Sequence, residues 1–146
     1  MKVSMGKRGD YAVRAVLFLA RSYGSGRRKS RQIAVAMEIP ERFLPQILGS
    51  LIKGGIVTSV AGPDGGYELA RDPVEVSLFE VVETAEGPIR KEKCVLSGGP
   101  CHWGVSCAVH PAWAAAQEAF IESLQSSSFA DLAATDEALE AGTPIS

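Results

Sequence analysis

The 146-residue chain is 46% apolar, enough for one buried core with an appended element. No apolar run approaches membrane-spanning length, and Met1–Asp10 has no apolar stretch of the kind found in a secretion signal, so a cytoplasmic protein without a membrane partner is expected. The net charge of −2 hides a division: residues 1–71 carry 12 basic and 5 acidic side chains and residues 72–146 carry 3 and 12, which suggests that the first part meets a polyanion and the second does not.

Tyr11–Ala20 is apolar on nearly every side and predicts a buried helix, with Asp10 placed to cap its first amides. After the glycine-rich basic connection Tyr23–Lys29, Ser30 is positioned to cap a short helix that turns Ile33, Ala34 and Met37 inward. Ile39-Pro40 breaks it. A second helix then places Phe43, Leu44, Ile47, Leu48, Leu51 and Ile52 on one face, and Gly54-Gly55 ends it. Pro45 is unusual there, because a proline beyond the first turn removes a hydrogen bond and bends the helix. Strand-forming Ile56–Val60, the turn Gly62-Pro63-Asp64-Gly65-Gly66 and Tyr67–Ala70 follow.

Two short helices, a tight break and a hairpin are the order of a winged helix-turn-helix, so the expected fold is mainly α with a small β-wing. Its second helix would enter the DNA major groove, with Arg42 and Gln46 one turn apart on the polar side. Arginine bonds guanine bidentately and glutamine bonds adenine, each worth about 1–3 kcal/mol of discrimination. Glu41 reads more simply as a solubilising charge. Arg27, Arg28, Lys29 and Arg31 are candidates to hold phosphate without reading sequence, and Tyr67 and the wing amides to touch the backbone.

Beyond the wing, Ser77-Leu78-Phe79-Glu80 is a capping-box pattern opening a helix that stops at Gly87-Pro88. Pro111 starts a long helix whose apolar stripe, Trp113, Ala116, Phe120 and Leu124, needs a partner in its own domain or in a second copy. The expected division is a DNA-binding domain over 1–87, a ligand loop over 88–110, a dimerisation helix and short terminal helix over 111–134, and a flexible tail over 135–146.

The three cysteines of the chain, Cys94, Cys101 and Cys107, stand with His110 in one seventeen-residue stretch. An odd number of cysteines in a reducing compartment argues against a disulfide staple. Three thiols and an imidazole make a complete tetrahedral zinc set, yet gaps of six and five residues are wider than a zinc knuckle needs and suit an iron–sulfur cluster. The residues alone leave zinc and iron–sulfur level, with a metal-free thiol switch third and a catalytic Cys–His pair last. His102 reads as a solvent-facing loop residue.

Tyr-Ala-Val-Arg-Ala at 11–15, the stretch from Ile39 to Leu48, Gly62-Pro63-Asp64-Gly65-Gly66-Tyr67, the cysteine triplet and the run from Cys107 to Trp113 together resemble the Rrf-two family of bacterial winged-helix repressors, which includes IscR-like and NsrR-like iron–sulfur regulators. The likeness runs from about Met5 to Leu132. It implies a homodimer on a palindromic operator, with the helix opening at Pro111 crossing its partner's. It also implies an iron–sulfur cluster held by three cysteines and a fourth ligand: His110 by the IscR-like pattern, usually [2Fe–2S], or Asp10 by the NsrR-like pattern, usually [4Fe–4S]. The first cysteine gap is six residues where five is commoner, and Ala61 stands where IscR-like wings carry an arginine. Regulation of DNA binding by redox state, nitric oxide or iron–sulfur supply follows from the resemblance. The competing class is a small electron carrier or adaptor, which has no use for a helix-turn-helix. No phosphate loop, nucleophile elbow or paired acid/base motif suggests an enzyme.

Overall fold

The computed structural model describes residues 5–88 and 107–142. Helix α1 (Lys7–Arg21) is its centre. Ala12, Ala15 and Val16 are fully buried and Leu19 nearly so, and α1 packs against α2 (Ser30–Met37), α3 (Leu44–Lys53), α4 (Leu78–Glu86) and α6 (Phe129–Glu140). Two alanines on the buried seam let neighbouring backbones approach closely, while Val16 and Leu19 fill the space between them. A 3-10 turn, Glu41–Phe43, joins α2 to α3, and a second, Pro73–Glu75, precedes α4.

Strands β1 (Val57–Val60) and β2 (Gly66–Leu69) pair antiparallel with Val57 opposite Leu69 and Val60 opposite Gly66. Val57 and Leu69 are buried at the hairpin's base, and the exposed tip extends beyond the core.

Helix α5 (His110–Gln125) buries only Ile121. Of its predicted apolar stripe, Trp113 and Leu124 are half-buried, whereas Ala116 and Phe120 face outward. Ile52 of α3, expected to face inward, is also exposed, since the buried seam closes with Leu51. Among the described residues no helix is long and apolar enough to cross a membrane.

The loose tail expected from residue 135 is instead helical to Glu140. Three kinds of contact hold α6 in place. Phe129 is completely buried. The Phe129 N–H donates to the Val76 carbonyl and the Leu78 N–H to that of Ser127, both at 2.8 Å. At the far end Arg21 pairs with Asp136 and Glu140. The hydrogen bond to Glu140 raises the Arg21 pKa above its ordinary value, and burial opposes this only in part. Composition suggested a tail because charges and alanines dominate α6; the anchor is one aromatic at its first residue. Replacing Phe129 with alanine is expected to cost about 3–5 kcal/mol, measurable as a lowered urea midpoint.

Candidate nucleic-acid interface and ligand segment

The helix-turn-helix is built from short-range devices. Gln32 Oε1 accepts the Lys29 N–H at 2.7 Å at the start of α2, so Gln32 and not Ser30, which is already helical, serves that end. Glu38 closes α2 in the left-handed region (φ 54°), which turns the chain so that Ile39 is buried and its N–H reaches the Ala34 carbonyl at 3.0 Å. Leu44, Ile47, Leu48 and Leu51 then seat α3 on the core.

Pro45 does not bend this helix. The chain runs as a 3-10 turn through residues 41–43, and α3 begins at Leu44, so Pro45 falls in the first turn, where an N–H would have no partner. Continued as one α-helix, residues 41–45 would press the proline ring on the Glu41 carbonyl; in the 3-10 turn that carbonyl instead accepts the Leu44 N–H.

The two candidate base readers stand on either side of this joint. Arg42 is exposed, with its guanidinium carbon 4.8 Å from the Phe43 ring centroid. Phe43 in turn stacks on Tyr11 at 5.7 Å and 28°. Gln46 is exposed on α3, and its side chain has no partner among the described residues. Glu41 is exposed beside them.

Asp10 does not cap α1. It is the fourth helical residue; its N–H already bonds the Gly6 carbonyl, and its two carboxylate oxygens receive Arg14 Nε at 2.9 Å and Nη2 at 3.1 Å. Arg14 Nη1 also reaches the Met37 carbonyl at 3.1 Å, tying α1 to the end of α2. The acid at the start of α1 is Glu86 from α4, whose Oε1 accepts the Gly9 N–H at 3.0 Å. Nothing local in the sequence marks Glu86, because its partner lies 77 positions away. The capping box at Ser77 is half formed: Ser77 Oγ accepts the Glu80 N–H at 3.1 Å, while the Glu80 carboxylate pairs with Arg71.

The wing is stapled to the segment before α2. Arg28 and Tyr67 exchange both backbone hydrogen bonds at 2.8 Å, forming a bridge outside the hairpin. Lys29 Nζ donates to the Gly62 and Pro63 carbonyls at 3.1 and 2.8 Å, and Arg27 lies 3.5 Å from the Glu68 carboxylate. Lys29 and Arg27, expected to hold phosphate, therefore have acceptors within the chain. Arg28 and Arg31 form no ion pair among the described residues. Tyr67 is half-buried with its ring against the core. Two glycines permit the close approach: a Cβ on Gly65 would lie 1.9 Å from the Val60 oxygen, and one on Gly66 (φ 140°) 2.7 Å from the Arg28 oxygen.

Of the ligand set, Cys94 and Cys101 lie outside the described residues, as does His102. Cys107 is half-buried with a free thiol, and its carbonyl accepts the His110 N–H at 3.2 Å. His110 is the first residue of α5 and is exposed. Among the described residues no group of three or more His, Cys, Asp or Glu side chains is gathered as a metal would require.

The profile of the Rrf2 (Rrf-two) family, described as an iron-dependent transcriptional regulator, matches residues 5–135. The chain belongs to the Rrf2 family of transcriptional regulators. It is 34% identical over 106 residues to the HTH-type transcriptional regulator IscR of Cronobacter sakazakii, covering 73% of this chain and 65% of that protein. It resembles the solved structure of CymR, the global cysteine regulator of B. subtilis, with a TM-score of 0.80, 25% identity and coverage of 92% of this chain and 98% of that one. The structure of T. potens IscR matches with a TM-score of 0.74 at 29% identity, over 100% and 94% of the two chains.

An Rrf2 regulator is a DNA-binding winged-helix protein and not an enzyme, and the same findings replace the electron-carrier reading. In this Rrf2 chain Lys29 adds two hydrogen bonds at the wing's tip to the Arg28–Tyr67 bridge at its side. Lys29→Met is expected to raise amide exchange at Gly65 and Gly66 roughly five- to tenfold, as loss of exposed hydrogen bonds would. The core amides of Ala15 and Leu48 should stay protected in the same exchange measurement.

Proposed function

We propose that this Rrf2 protein is an operator-binding repressor whose grip on DNA is set by an iron–sulfur cluster held by Cys94, Cys101, Cys107 and His110. The observation that carries the DNA half is the outward face of the 3-10 turn and α3. There Arg42, Gln46 and Lys53 are exposed with no ion pair among the described residues, over a helix fully seated by its other side. Arg42 and Gln46 read base edges in the major groove, while Arg28 and Arg31 hold phosphate. Val109, just before α5, and Ala116 and Phe120 on its outer side support pairing with a second copy, and two-fold symmetry then calls for a palindromic operator.

The donor set fits the group: three thiols bind iron well, and an imidazole completes four positions. His110 is preferred to Asp10 as the fourth ligand because its ring is exposed and uncommitted, whereas Asp10 would have to release both bonds from Arg14. Bound there, a cluster supplies a centre that can be oxidised, nitrosylated or lost, and so report redox state, nitric oxide or iron–sulfur supply. The ligand segment lies between α4 and α5, and α4 is fixed to the start of α1 through Glu86 and Gly9. A rearrangement of the segment therefore bears on the helix that carries the reading head. A coupling of about 1–3 kcal/mol is enough for a five- to hundredfold change in operator affinity. A metal-free thiol switch is the second reading, supported by the likeness to a cysteine regulator; zinc is the third.

Anaerobic purification followed by iron, sulfide, zinc and absorbance measurement separates the three. Iron and sulfide in equal amounts, lost in His110→Ala and retained in Asp10→Ala, is the expected result. The reverse pattern assigns Asp10, while zinc without sulfide, or no metal, moves the protein to the other readings. In gel retardation, operator affinity should fall steeply with salt, and Arg31→Ala, which removes one phosphate contact from each of two copies, should reduce the log–log slope by about 1.8.

A further inference from the structure

Every described glycine but one has a visible reason to be glycine. Gly24, Gly26, Gly55, Gly62, Gly87 and Gly142 have positive φ. At Gly54, Gly65 and Gly66 an added Cβ would come within 3 Å of another atom, as at Gly54, where Thr84 Cγ2 would be 2.8 Å away, and at Gly6 and Gly9 it would displace the Glu86 carboxylate that accepts the Gly9 N–H. Gly49 has neither reason. Its φ is not positive, and a Cβ there meets nothing within 4 Å. Yet it occupies the sixth of ten positions in α3, where glycine disfavours the helix about four- to fivefold relative to alanine.

The protein thus keeps a helix-weakening residue at an exposed position where its own packing would accept a side chain. Gly49 lies three residues after Gln46 and four before Lys53, so the three share one outward flank. Ser50 does not fill the notch, because its hydroxyl folds back onto the Gln46 carbonyl at 3.1 Å. The helix carries no acidic side chain, and its one charge is Lys53. A bare stretch of main chain between an amide and an ammonium, without an anion nearby, suits a polyanion pressed close to the helix, not a protein surface needing apolar contact.

We propose that Gly49 is the point of closest approach between α3 and duplex DNA, kept bare so that the sugar–phosphate backbone can lie against the helix main chain while Arg42 and Gln46 reach the bases. This rests on α3 being the recognition helix. A side chain at position 49 would hold the helix away from the groove and weaken every base contact together.

The test uses full-length, anaerobically purified protein and a labelled duplex selected by the wild type from a random-sequence library. Gly49→Ala is expected to raise the thermal midpoint by roughly 2–5 °C and to weaken duplex binding by about tenfold. Gly49→Leu should weaken it further with the midpoint still at or above that of the wild type. Loss of affinity in a more stable protein cannot come from damage to the fold. Binding within about twofold of the wild type in both variants overturns the proposal and leaves α3 as the reader. A wild type that selects no duplex overturns the reading of α3 as well.

Discussion

The structure depends on how tightly other elements can close on α1. Ala12 and Ala15 are wholly buried on it, and at its start Gly9, with no side chain, lets the Glu86 carboxylate of α4 meet its N–H. The same closeness places Arg14 within reach of the Met37 carbonyl on α2. Larger side chains at those alanines would separate the layers by more than a hydrogen bond can span. Positions of α3, α4 and the terminal helix are all defined relative to this one helix. Its seam also explains why the interface residues need so little support of their own: α3 is seated from behind by four buried aliphatics, and its outward side chains are left for other work.

The parts legible in the sequence are those that depend on neighbours in the chain. The spacing of Leu44, Ile47, Leu48 and Leu51, the break at Ile39-Pro40 and the glycine turn of the wing are local patterns with local causes, and the winged helix-turn-helix follows from them. What failed depended on partners distant in sequence. Asp10 has the composition of a cap, but Glu86 occupies that end from another helix. Nothing local marked Lys29 as a donor to two wing carbonyls, a contact that stands beside its candidacy as a phosphate ligand. The terminal helix has the composition of a tail until Phe129 is buried. Pro45 was a different kind of error: the residue was read correctly, but the helix start was placed one turn early, and in helices proline's meaning changes completely across that turn.

The candidate ligand set divides along the same line. Its chemistry is legible because thiols and imidazole in one short stretch have few other uses. Its geometry is not, since the choice of a fourth ligand depends on which side chains are already engaged in the folded chain. The paired hydrogen bonds from Arg14 to Asp10 are such an engagement; their i,i+4 spacing allows the pair, and the fold, by also joining Arg14 to the Met37 carbonyl, holds it in place.

The charge division of the chain also changes meaning once partners are known. Of the cations in the first half, Arg14, Arg21, Arg27, Lys29 and Arg71 bond to acceptors within the protein. Partly exposed pairs of this kind add little stability individually, typically below about 1 kcal/mol, but they fix where elements end: α2 against α1, α6 against α1, the wing against its preceding segment. The remaining described cations of that half, Lys7, Arg8, Arg28, Arg31, Arg42 and Lys53, carry the external field. Arg31, Arg42 and Lys53 belong to α2, the 3-10 turn and α3, the elements proposed to meet DNA. A net charge of +7 spread evenly would attract any polyanion in any orientation. Pairing four cations with carboxylates inside the fold leaves Arg31, Arg42 and Lys53 as unpaired charges on the elements proposed to meet DNA, and charges fixed there favour one orientation over a general attraction.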